Sequence, residues 1–248
     1  MAHKTQEISQ IIVALETQHI TCCIVGTAAL IHYGAQRVLH DWELCVPSSL
    51  YHQAVEYLSS EDESSTPIHA CRPSRPQPSS TNHLHARFLC PSDRSIFVVL
   101  PDEEVHLDLS RTERVYDANN IPYPALRDLA QSLLDTSNEV GLCDLVDGAD
   151  IDIEWGVTNL DLSGTKDVDW AVQMNSRIKR LCEHPSDRVA IFPTCSRPRR
   201  EFWSHIANAS SKKGRLGCQK SPSCFDTRFR LAARPANVAS LTSAHGAG

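Results

Sequence analysis

Apolar positions along the chain follow two periods, and the switches between them outline its elements. Ile8, Ile11, Ile12 and Leu15 share one helical face until the polar run Thr17, Gln18 and His19 breaks the pattern, so the sequence opens on an amphipathic helix. Cys22, Cys23, Ile24 and Val25 form a short β-branched and thiol-rich run ending at Gly26, which predicts a buried strand. A short helix over 27–33 closes at Gly34. In Asp41-Trp42-Glu43-Leu44-Cys45-Val46 acids alternate with apolar residues, the period of a strand with one polar face, and a helix over 50–58 follows. Ser, Pro, Glu and Arg dominate 59–82, a surface excursion that interrupts the domain. Short strands are predicted at 85–90, 95–100 and 104–109, separated by Pro91-Ser92-Asp93-Arg94 and Pro101-Asp102-Glu103, both with turn chemistry. Helical patterns over 123–134, from 140 to 160 and over 168–181 complete the series. The expected fold class is α/β, a short mixed sheet flanked by helices within residues 1–184, with a helical extension over 121–184.

Composition agrees with a folded domain but divides the chain. The 248 residues are 41% hydrophobic and 22% charged, enough for a core without disulfide staples and unlike a membrane-embedded or globally disordered chain. Met1 to Gln10 is polar and lacks a long apolar run, so the expected compartment is cytoplasm or nucleus, no membrane partner is expected, and the ten cysteines are expected to be thiols. The formal charge of −6 hides an asymmetry: residues 1–184 carry 13 Lys and Arg against 27 Asp and Glu, whereas 185–248 carry 11 against 3. This basic stretch has little apolar periodicity and is expected to be a largely disordered tail, dispensable for folding. It reads either as a solvated segment or as a nucleic-acid contact that neutralises phosphates. Phe202, Trp203 and Ile206 mark the one place in it where a short docked helix fits.

The candidate chemistry centres on the acids. Asp41 and Glu43, two residues apart on a strand, emerge from one face. Like charges about 4 Å apart cost roughly 4 kcal/mol at an effective dielectric of about 20. A divalent cation offsets that cost, and hard carboxylate oxygens suit Mg²⁺ or Mn²⁺. Asp108 is the candidate third acid if the strand over 104–109 lies beside the first, with Glu104 on the same face as the next choice. Arg37, four residues before Asp41, suits either a phosphate or a carboxylate partner. His83-Leu84-His85 lacks further ligands at metal spacing, and Asp147, Asp150, Asp152 and Glu154 lack the glycine and terminal glutamate of a calcium loop. No P-loop, dinucleotide glycine fingerprint or nucleophile elbow is present.

Ile24-Val25-Gly26-Thr27, a spacer of thirteen residues and Asp41-Trp42-Glu43-Leu44 together resemble the signature of the DNA polymerase beta-like nucleotidyltransferase superfamily. The resemblance covers about residues 8 to 110. Trp42 is bulkier than the usual aliphatic residue between the acids, and Thr27 stands where Ser or Gly is usual. The resemblance implies that the glycine-containing turn at Gly26 and Thr27, at a helix N-terminus, holds the triphosphate of a nucleoside triphosphate; Thr27 suits an N-cap, and Arg37 is the candidate further nucleotide contact if its partner is a phosphate. It also implies that Asp41 and Glu43 hold Mg²⁺ or Mn²⁺ while Asp108 helps activate the acceptor. The implied reaction is transfer of a nucleoside monophosphate to an acceptor hydroxyl. The alternative is a catalytically inactive accessory or binding protein on the same fold.

Overall fold

Two β-strands lie parallel at the centre of the molecule, and the rest is arranged around them. The computed structural model describes residues 3–60, 68–74, 81–181 and 192–217. Strands β1 (Cys23–Val25), β2 (Asp41–Val46), β3 (His69–Cys71), β4 (Arg87–Leu89) and β5 (Ile96–Pro101) form one sheet in the order β1-β2-β5-β4-β3. The β2–β5 pair is parallel and the other pairs are antiparallel. A separate two-stranded ribbon joins β6 (Arg114–Tyr116) to β7 (Pro122–Pro124). The helices are α1 (His3–Thr17), α2 (Gly26–His32), α3 (Tyr51–Ser59), α4 (Leu126–Asp135), α5 (Glu139–Ala149), α6 (Ile153–Asn159), α7 (Val168–Leu181), α8 (Arg199–Ala207) and α9 (Ala209–Gly217). The fold class is therefore the expected mixed α/β sheet with helices packed on it. No described helix is long and apolar enough to cross a membrane.

The period-2 pattern of β2 decides which way its side chains go. Trp42, Leu44 and Val46 enter the main core with Ile24, Phe88, Phe97 and Val99. The apolar stripe of α1, Ile8, Ile11, Ile12 and Leu15, is buried in the same core. Removing such side chains from water contributes about 1.5–3 kcal/mol each. The opposite face carries Asp41 and Glu43 at one end and a smaller apolar cluster that runs from Val25 and Val98, beside Glu43, to Cys23, Cys45 and Leu100, roofed by Leu109.

Three expectations are corrected. Residues 104–109 are not a strand, because a 3₁₀ turn over Asp102–Val105 ends at His106 in the left-handed region, with φ of 51°. The Asp102 carboxylate accepts from the N–H of Ser48 at 2.9 Å and of Leu109 at 3.2 Å, which folds the segment back as the roof of the smaller cluster. Residues 122–124 belong to β7, so the helix expected from 123 begins at Leu126. Composition also predicts a loosely attached chain from residue 185, whereas Phe202, Trp203 and Ile206 on α8 are at most 1% exposed in the main core. Basic residues of this region find partners in the acidic domain: Arg199 with Asp135 and Asp161, Lys212 with Asp150, and Arg215 with Asp147. The expectations for 182–191, 218–248 and most of the 59–82 excursion fall outside the described residues.

Candidate functional site at the polar end of the sheet

Asp41 and Glu43 project from one face of β2, as the spacing requires, and Glu43 lies across from Val25 on β1, just before the turn into α2. At that turn Gly26 has φ of 59°, which only glycine adopts without strain. A Cβ built on Gly26 would lie 1.4 Å from Glu43 Oε2, so the Glu43 carboxylate rests directly against the glycine. Asn82 Nδ2 donates to Glu43 Oε1 at 2.8 Å. Burial pushes the Glu43 carboxyl above the ordinary glutamate range; the Asn82 hydrogen bond partly opposes this, and the charge of Asp41 adds to the rise.

Asp41 is held differently. Arg87 Nη2 on β4 donates to Asp41 Oδ2 at 3.1 Å, while Arg87 Nη1 donates to the carbonyl of Arg72 at 3.3 Å. Strand register explains the encounter: Glu43 faces Val98 across β2–β5, and Val98 faces Arg87 across β5–β4. Sequence reading missed Arg87, since only the register across three strands brings it to the acids. Ile96 faces Asp41 in the same register, so the strand beside the acid pair presents the apolar Ile96 and Val98.

The structure does not bring Asp108 to this place. Asp41 begins β2, and Asp108 lines a cleft of about 500 Å³ with Thr21, Pro47, Ser48 and Ser49, beyond the other end of that strand. The strand alone separates the two ends by roughly 17 Å at about 3.3 Å per residue. Asp108 accepts from the Ser110 hydroxyl at 2.5 Å and the Ser110 N–H at 3.0 Å. The hydroxyl contact is the main reason its carboxyl lies below the ordinary aspartate range. Glu104, the next choice, is also elsewhere, with Oε2 2.5 Å from His85 Nε2 in a buried pair. Burial by itself would raise the Glu104 carboxyl, but His85 and Arg177 override it and hold it below the ordinary value.

Arg37 resolves toward the carboxylate partner: its Nε donates to Asp144 Oδ2 on α5 at 2.6 Å. Thr27 lies in the first turn of α2, but the N-cap position belongs to Val25 and has no side-chain cap hydrogen bond. Gly26, Thr27, Asp41 and Glu43 are thus gathered at one end of the sheet with Asn82 and Arg87. Arg37 is directed to α5, and Asp108 lies at the other end.

These residues do not fit a two-metal centre. One acid is ion-paired to an arginine, the other is buried against a glycine, and among the described residues no group of three or more metal-ligating side chains converges. Such a centre clamps attacking and leaving oxygens between two ions held by several carboxylates. What the arrangement provides is an ion pair from β2 to β4 across an apolar stretch of β5, beside a buried carboxyl group held by Asn82.

No protein-family model matches the chain, and no curated protein matches it in sequence. Among solved structures it is similar to the solution structure of the antibiotic-resistance factor ANT(2'')-Ia, with 10% identity, a TM-score of 0.36, and coverage of 73% of this chain and 95% of that one. That likeness is a coarse one.

Proposed function

We propose that the chain is an accessory or binding protein on a nucleotidyltransferase-like α/β scaffold, without metal-dependent transfer of nucleoside monophosphates. The observation that carries this reading is the register beside the acid pair: Ile96 faces Asp41 and Val98 faces Glu43. An apolar strand at that place supplies neither a further metal ligand nor a base for an acceptor hydroxyl. The Glu43 carboxyl group against Gly26 supports the same reading, because a protein side chain already fills the space above the turn that the sequence resemblance assigns to phosphate. A nucleoside triphosphate placed there would have to displace that side chain.

The test is incubation of the purified chain with each labelled nucleoside triphosphate and Mg²⁺ or Mn²⁺, together with a metabolite, RNA and protein extract. No transfer of label above a heat-denatured control is the expected result. Transfer that disappears in Asp41→Asn would overturn the reading and return the site to the transferase class.

A further inference from the structure

Arg87 stands on the third strand from β1, yet its guanidinium reaches across Val98 to an acid on β2. Neighbouring strands are about 4.8 Å apart, so roughly 10 Å of sheet separates the Arg87 and Glu43 backbones, a gap spanned on the Asp41 side by a side chain as long as arginine. Local stability is a poor explanation for this position. Among the described residues the guanidinium has Asp41 and the Arg72 carbonyl as partners while its buried Nε–H has none, and an unmatched buried donor costs about 1–3 kcal/mol. What the position does supply is one positive charge on Asp41, the acid that shares a strand face with Glu43 and whose charge adds to the rise of the Glu43 carboxyl.

We infer that Arg87 is the built-in cation of the Asp41–Glu43 pair, taking the electrostatic place of a divalent metal and keeping the wild-type site metal-free. This inference rests on the accessory-protein reading and gives it a cause. A guanidinium neutralises carboxylates through hydrogen bonds, but it offers no open coordination position, polarises no bound water and cannot bridge two phosphate oxygens as an ion does. Once the guanidinium is removed, the Asp41 carboxylate loses its counter-charge beside Glu43, and a divalent cation is the species that restores it through hard oxygen ligands.

Mn²⁺ titration of the full chain at neutral pH, followed by the paramagnetic resonance of free Mn²⁺ and by calorimetry, tests this directly. Arg87→Met should gain one saturable site with a dissociation constant at least tenfold below any site in wild type. The double variant Arg87→Met with Asp41→Asn should lose it, and Arg87→Lys, which keeps the charge, should behave as wild type. Arg87→Gln carries the same expectation should the methionine variant fold poorly. Folded Arg87 variants that titrate like wild type overturn the inference. So does a wild-type site that vanishes in Asp41→Asn, a result that needs no Arg87 variant. The two claims fail separately: label transfer by wild type defeats the accessory reading, whereas an inactive wild type whose Arg87→Met form ignores Mn²⁺ defeats only the role of Arg87.

Discussion

Removing the α8 anchor should cost the protein a large part of its stability. Trp203 is 0% exposed, its Nε1 donates to the Ile153 carbonyl at 3.3 Å, and its ring lies 6.0 Å between centroids from that of Trp155. The fit is close enough that a Cβ added at Gly156 would lie 2.1 Å from ring atoms of Trp203. Trp203→Ala empties this space, and large-to-small changes of an aromatic core residue cost about 3–5 kcal/mol. For a domain of this size each kcal/mol moves the melting temperature by about 2–4 °C, so the expected fall is roughly 6–20 °C. Gly156→Ala attacks the same contact from the other side and should cost about 1–3 kcal/mol by overpacking. Urea melts read by near-ultraviolet circular dichroism and thermal melts give both values. Truncation after residue 184 removes α8 altogether and should leave a chain that does not fold cooperatively. A truncated protein that melts like the full chain, or Trp203→Ala within about 0.5 kcal/mol of wild type, would refute the integral role of α8.

Three further outcomes follow from the site. Gly26→Ala combines a strained φ of 59° with a clash on Glu43, and should lower stability by about 1–3 kcal/mol in urea melts; an unchanged melt would mean that the turn has no such constraint. Glu43 has a folded-state pKa raised by burial, so its contribution to stability is present below the ordinary glutamate pKa and is lost as pH rises through the folded value. Glu43→Gln should therefore be more stable than wild type at pH 7, with the gap closing as pH falls below the ordinary glutamate range; a gap that does not vary with pH would contradict this. Arg37→Met removes the 2.6 Å ion pair to the Asp144 carboxylate and should cost about 1–3 kcal/mol in urea melts while leaving Mn²⁺ titrations as in wild type; an altered titration would place Arg37 at the site.

Local patterns were legible in the sequence and long-range ones were not. The stripe Ile8, Ile11, Ile12 and Leu15 and the alternation of Asp41 to Val46 gave α1 and β2, and with β2 the shared face of the two acids, because both depend only on spacing along one element. Val105 to Leu109 has the same alternation without being a strand: the Asp102 carboxylate and the left-handed His106 fold it back, so the third acid went to the wrong end of the sheet. Arg87 was invisible because its partner is 46 residues away and reaches it only through the β2–β5–β4 register. A short docked helix was legible in Phe202, Trp203 and Ile206, but the surrounding basic residues hid how deeply it is buried. Those charges serve the fold, pairing with the acids of α4 and α5 and the turn that follows α5.

Thermal melts of wild-type chain with and without Mn²⁺ plus each nucleoside triphosphate test most directly whether this acid pair is a metal-nucleotide site. A ligand that binds the native state at 100 times its dissociation constant adds about 2.7 kcal/mol, a shift easily read at this chain length. With Arg87 on Asp41 and Glu43 against Gly26, wild type should show no shift specific to the combination of metal and nucleotide. A saturable shift that requires both, and that Asp41→Asn or Glu43→Gln abolishes, would contradict the accessory-protein reading.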